Sequence, residues 1–206
     1  MTESLPAVFG TGLGLAAGAG LNAYAVLLVY GAIVRFFPGE FPGAIGKLLS
    51  SDTALITIGI LFLLEFFADK IPGLDHIWDV IHSFVRPVAG AVLAIAAVGP
   101  QTDNVLLDVV AGGSGGFVAM LSHLLKSAAR LTSTALTAGV ANIALSIAED
   151  ILAFLQALVA IFLPIVALII VLGLGAIFLL TVPKIARSGV HLFGRIRPPR
   201  EELGSK

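Results

Sequence analysis

Glu65 and Asp69 stand four residues apart, so both carboxylates share a helix face, and Lys70 follows before Pro72 ends the helix. In the apolar run that holds them, acids beside a base do one of two things. They bind a proton or another cation, with Arg86 or Lys70 as the internal counter-charge released when the ion arrives, or they neutralise themselves structurally near a helix end. A charge at the centre of a membrane helix costs about 2.5 to 3.5 kcal/mol on insertion scales, which turns such groups towards the protein interior and a partner. Glu149 and Asp150 form a second acidic pair at the end of another apolar run.

His123, Lys126 and Arg130 fall on one helix face at steps of three and four. Near a helix end they read as a snorkelling basic rim or as a site for an anionic substrate or lipid headgroup. Glycines recur every four residues at Gly10, Gly14 and Gly18, and again at Gly112 and Gly116, making smooth faces for close helix approach. The stretches "GAGLN" and "GGSGG" also suit broken helices whose backbone meets a ligand at the midplane. Gly18, Gly20, Gly113 and Gly115 are therefore candidate substrate-lining residues, with Asn22 and Asn142 completing the site or bonding across helices. Gly12, Gly14 and Ala17 spell a dinucleotide fingerprint, but inside an apolar helix with no preceding strand, which excludes it. The four histidines have no metal-ligand spacing, cysteine is absent, and no nucleophile, base and orienting partner can be assembled. No enzyme, cofactor or bound metal is expected.

The elements that must position these residues follow from composition. With 58% hydrophobic residues, 12% charged and a mean hydropathy of +1.04, the chain is far more apolar than a soluble domain, which averages about 45 to 50% and 25%. The expected fold is all-α, a polytopic transmembrane helical bundle, because lipid admits only helices or closed barrels and these long unalternating runs favour helices. A span needs roughly 20 residues, and about six fit: 8–34, 53–69, 86–99, 105–125, 131–148 and within 151–182. The opening "MTESLP" carries no base, so the first apolar run is expected to persist rather than be cleaved as a signal peptide. The net charge of -1, without a basic stripe, gives no support to nucleic-acid binding.

Residues 1–183 read as a single transmembrane domain and 184–206 as a basic cytoplasmic tail carrying Lys184, Arg187, Arg195, Arg197, Arg200 and Lys206. Excess Lys and Arg marks the cytoplasmic side. Counting back through six spans puts both termini inside and the "TDN" at 102–104 outside; five or seven spans would reverse the N-terminus.

A pattern occurs twice. "GAGLNAYAVLLVYGAIVR" (18–35) and "GSGGFVAMLSHLLKSAAR" (113–130) share their first and third glycines and their final arginine; a helix ending in acid follows each, at Asp69 and Asp150, and then a proline, at Pro87 and Pro164. The expectation is an inverted repeat of two three-helix units, about 8–100 and 103–183. Between acid and proline, Asp75, Asp79, His82 and Arg86 line one face of 74–86 while Ile77, Trp78, Ile81, Phe84 and Val85 occupy the other. That is a short amphipathic helix, expected to be interfacial or re-entrant.

The residues "EFFADKIPGLDHIWDVIHSFVRPVAGAVLA" (65–94), together with "GSGGFVAMLSHLLKSAAR" and "LSIAED", resemble an uncharacterised family of small bacterial membrane proteins, the domain of unknown function 4126 (DUF4126). The resemblance implies a bacterial inner-membrane protein and singles out the same acidic and basic positions. It brings no substrate and no mechanism. Two classes of function stay open. One is a small secondary transporter or channel-like carrier with a midplane site, coupled to a cation or proton through intramembrane acids; the other is a non-transporting scaffold or lipid-binding subunit whose charges are structural. The partners expected are the lipid bilayer, a small solute or ion, and a second copy of the chain.

Overall fold

The computed structural model describes residues 4–39, 41, 43–71, 74–102 and 104–196, and of these the backbone alone at 75, 76, 101, 102 and 181–196. The chain forms α1 (Leu5–Leu21), α2 (Ala23–Phe36), α3 (Ala44–Leu49), α4 (Asp52–Ala68), α5 (Leu74–Thr102), α6 (Val105–Thr137), α7 (Asn142–Phe162) and α8 (Pro164–Ile196), with no strand among the described residues. Ile77–Pro100, Val105–Thr137 and Asn142–Phe162 are long and apolar enough to cross a membrane, and Leu5–Leu21, Ala23–Phe36 and Pro164–Leu180 are shorter apolar helices. Polarity is inverted relative to a soluble domain. Glu65, Arg86, Lys126 and Arg130 are buried, while Phe84, Val105, Phe117, Leu136 and Leu172 face outward. Water disfavours so large an apolar exterior, whereas a bilayer solvates it.

α1 is the axis of the bundle. A Cβ at Gly10 would strike Pro164, one at Gly12 would press on Ala94, one at Gly14 would meet Ala160 and Ala167, and one at Gly20 would strike the Ala119 carbonyl. These glycines let four helices lie against one, and they set its direction: antiparallel to α5 and α7, parallel to α8. At Asn22 the backbone turns extended (φ -146°, ψ 106°), and the Asn22 side chain caps α2 by accepting the Ala25 N–H at 2.8 Å. Tyr24 packs edge-on to His82, and the Tyr30 hydroxyl donates to the Ala96 carbonyl at 3.2 Å, so α2 runs parallel to α5 and folds back along α1. Gly18 makes room for the Val26 side chain inside this fold-back. The hairpin opens at the end where α5 joins α6, with Val8 in one cluster with Val98 and Gly43 against Pro100.

The expected span 8–34 is therefore two antiparallel helices, a hairpin whose tip lies inside the bundle. α4, α5, α6, α7 and α8 then run along the bundle in alternating directions. α7 leaves α6 where Asn142 donates to Thr134, and α8 turns back at Pro164 beside Gly10. The start of α1 and the later turns of α8 consequently lie at opposite ends of the bundle, whereas the six-span expectation has both termini on one side.

Other boundaries moved for local reasons. The 74–86 segment is not a separate interfacial helix; it continues through Pro87 into the rest of α5, because its polar face finds partners on α4 and α6 while Ile77, Val80, Ile81 and Phe84 face outward. α6 passes through Lys126 and Arg130 without a break and stops at Ala138 and Gly139, both at positive φ. The "GGSGG" stretch is continuous helix, its glycines serving close contact with Ile95, Ala94 and Pro87 of α5. The apolar run 151–182 is broken at Leu163, and α8 continues through residues 184–196; 197–206 lie outside the described residues. The expected repeat pairs differ in local structure: Asp69 caps α4 but Asp150 sits within α7, and Pro87 lies inside α5 but Pro164 opens α8. At a coarser level, the α1–α2 and α7–α8 hairpins open towards opposite ends.

Candidate functional site

The tip of the first hairpin meets a layer of ionisable side chains drawn from four further helices. α4 and the turn that ends it supply Glu65, Asp69 and Lys70, α5 supplies Asp79, His82 and Arg86, α6 supplies His123, Lys126 and Arg130, and α7 supplies Glu149 and Asp150. From Arg86 to the end of α5 is about 24 Å, and from Arg130 to the end of α6 about 10 Å, at 1.5 Å per residue. The layer thus lies within the length of α5 and α6 and at the end of α4.

Two groups of partners share it. In the first, Lys126 Nζ donates to the Leu21 carbonyl (2.9 Å), to Asp69 Oδ2 (3.1 Å) and lies 3.2 Å from Glu149 Oε2. Its three protons have three oxygens, one of them at the C-terminal, electronegative end of α1. Arg130 pairs with Glu149 Oε2 (2.6 Å) and Asp69 Oδ2 (2.8 Å). Asp150 accepts from Asn22 Nδ2 (2.8 Å) and from Lys70 Nζ (3.3 Å), and Lys70 also donates to Ser146 Oγ (3.3 Å) and the Phe66 carbonyl (2.9 Å). Three carboxylates face three fixed bases, so this group is balanced.

In the second group, Arg86 Nη2 donates to Glu65 Oε1 at 2.8 Å, and Arg86 Nη1 lies 3.7 Å from Asp79 Oδ1. Nη1 also donates to His123 Nδ1 at 2.6 Å, and Ser83 Oγ lies 3.0 Å from His123 Nε2. A guanidinium only donates, so His123 Nδ1 accepts and the proton of a neutral ring lies on Nε2, towards Ser83. Here two carboxylates face a single fixed base. Among the described residues the layer brings together five carboxylates and four fixed bases.

The expected residues are placed as follows. Glu65 and Arg86 form the anticipated pair, but Asp69 belongs to Lys126 and Arg130, and Lys70 to Asp150. The basic face of α6 is no rim: His123, Lys126 and Arg130 are buried and directed inward, because acids on α4 and α7 meet the two fixed charges. Gly18, Gly20 and Asn22 reach the layer, whereas a Cβ at Gly113 would meet nothing and Gly115 packs on Gly90 and Ala94. Asn142 bonds Thr134 at 2.9 Å, away from Asn22. These three do not join a site with the first hairpin. Two hollows adjoin the layer. One of about 270 Å³ is lined by Leu21, Ser122, Gln156 and Leu174 among others, and one of about 340 Å³ by Asp79, Ser83 and Ser127.

This gathering of Glu65, Arg86, Lys126, Arg130, Glu149 and Asp150 falls within the residues, 9–184, that match the family model described as Domain of unknown function (DUF4126). The chain belongs to that family. No curated protein and no solved structure matches it. Membership covers every helix of the layer and names no substrate.

Sequence reasoning passed over Ser83 altogether and did not count Asp79 and His82 as site residues, reading them as the polar face of a short interfacial or re-entrant helix. A signal was present. In so apolar a chain a polar stripe continuous with an apolar helix points inward, since water is not the neighbour on the other side.

Proposed function

We propose that the chain is a small secondary carrier of the plasma membrane, working through a charge layer at the tip of the α1–α2 hairpin. The observation that carries this reading is the surplus carboxylate of the layer: among the described residues five acids meet four fixed bases, all buried but the half-buried Asp79 and Lys70, beside a hollow. Buried ion pairs add little net stability compared with apolar packing, and ionisable groups inside a membrane mark ion or substrate paths by default. A layer that is one positive charge short takes up a proton or cation at little cost. The 270 Å³ hollow, with Ser122 and Gln156 as its polar groups, is the substrate position for a small solute. The two oppositely opening hairpins support an inverted arrangement of the kind used for alternating access. With the bases of 184–206 placed in the cytoplasm, the 104 end and the start of α1 face outside.

The test is flux in reconstituted vesicles, beginning with a substrate screen under imposed pH and sodium gradients. Glu65→Gln is expected to leave a folded, inserted protein and to abolish gradient-driven flux. The alternative is a scaffold or lipid-binding subunit with structural charges, favoured by the complete pairing of Lys126. If Glu65→Gln and Asp69→Asn both transport with unchanged pH and sodium dependence, the acids are structural and that alternative takes over.

A further inference from the structure

His82 Nδ1 lies 2.9 Å from the Trp78 carbonyl. A carbonyl only accepts, so Nδ1 carries a proton and donates it. That leaves Nε2, which lies 3.6 Å from Glu65 Oε1 and has no hydrogen-bond partner among the described residues; neither has Glu65 Oε2. Both side chains are 0% exposed. With a neutral imidazole, a nitrogen lone pair would face a carboxylate in a site without bulk water, two acceptors and no donor. One more proton turns the contact into a charge-assisted hydrogen bond. The same proton brings the group of Glu65, Asp79 and Arg86 to neutrality.

We propose that His82 and Glu65 share one exchangeable proton, and that this pair is the coupling site of the carrier. The inference rests on the carrier reading only for its second half. A metal cation suits the place less well, since an oxygen-ligated ion needs several oxygens at about 2.0 to 2.6 Å and the Arg86 guanidinium already occupies Glu65 Oε1. A proton needs no such volume. The groups facing His82 are Tyr24 of α2, Glu65 and Asp69 of α4, Trp78 and Arg86 of α5, and, beyond Arg86, His123 of α6. Asp79 and Ser83 line the 340 Å³ hollow and give the proton a polar approach to Arg86 and His123.

The experiment is imidazole ¹⁵N NMR on the full chain in nanodiscs, with the His82 signal assigned by His82→Gln. The expected result is a His82 ring that passes between neutral and cationic forms with pH, a proton affinity altered about tenfold or more by Glu65→Gln, and no response to sodium at constant pH. Asp79→Asn, which removes the other carboxylate of the group without touching His82, gives the same readout should Glu65→Gln fail to fold. A His82 ring that stays in one form from acid to alkaline pH, that titrates identically in both variants, or that loses its proton to sodium overturns the shared-proton site. Flux in the same nanodisc-tested protein separates the two readings. Proton sharing without any transport removes the carrier and leaves the site, whereas pH-independent transport that survives His82→Gln removes the coupling role and leaves the carrier.

Discussion

Arg130 shows how the interior charges depend on one another. Its guanidinium serves Glu149 and Asp69 at once, and all three are buried. Removing one member of such a set strands the others without water, at about 3 to 5 kcal/mol. Arg130→Met is expected to cost that much in denaturant or thermal unfolding in detergent, and Arg130→Met with Glu149→Met to recover part of it, because fewer charges are then left alone. A double variant whose loss equals the sum of the two single losses would show the two to be independent. The Arg35–Asp52 pair at 2.7 Å is the contrast. With side chains 46% and 76% exposed, it is screened by its surroundings, and Asp52→Asn is expected to change stability by about 1 kcal/mol or less.

At the scale of the helix, glycine spacing has two different outcomes in this chain. Gly20 lies where a side chain would strike the Ala119 backbone of α6, whereas at Gly113 nothing lies within reach. Gly20→Val is expected to prevent α1 from seating and to abolish recovery of folded protein. Gly113→Ala is expected to be neutral or to stabilise by up to about 1 kcal/mol through helix propensity alone. Equal effects of the two substitutions in the same unfolding measurement would contradict the packing described. The hairpin tip is a third case. Asn22 both caps α2 and donates to Asp150, so Asn22→Ala is expected to cost about 0.5 to 2 kcal/mol for the cap, with a further loss because Asp150 keeps only Lys70.

For the molecule as a whole, the α1–α2 hairpin folds back on itself, which leaves an odd number of passages along the bundle. The chain contains no cysteine, so single cysteines report sidedness cleanly. Thr2→Cys and Gln101→Cys are expected to react with an impermeant thiol reagent on intact cells, and Ser205→Cys only after lysis. Protection of position 2 together with labelling at 101 would restore an even count and place both termini inside.

Composition by itself determined the solvent and the class of the protein, because 58% hydrophobic residues with long uninterrupted runs satisfy their backbone in lipid only as helices. It also singled out Glu65, Arg86, Glu149 and Asp150, since a charge in an apolar run is conspicuous whatever the fold. Helix ends were less legible. The fold-back at Asn22 depends on Gly18 admitting Val26 and on Asp150 waiting at the tip, contacts between residues remote in sequence. Partner choice was not legible at all: Lys126 belongs to Asp69 because α4 ends where α1 exposes its last carbonyl, and His82 faces Glu65 because α5 and α4 cross there. Spacing along one helix states which side chains share a face. Which acid meets which base depends on the neighbour that face is packed against, and only the tertiary structure decides that.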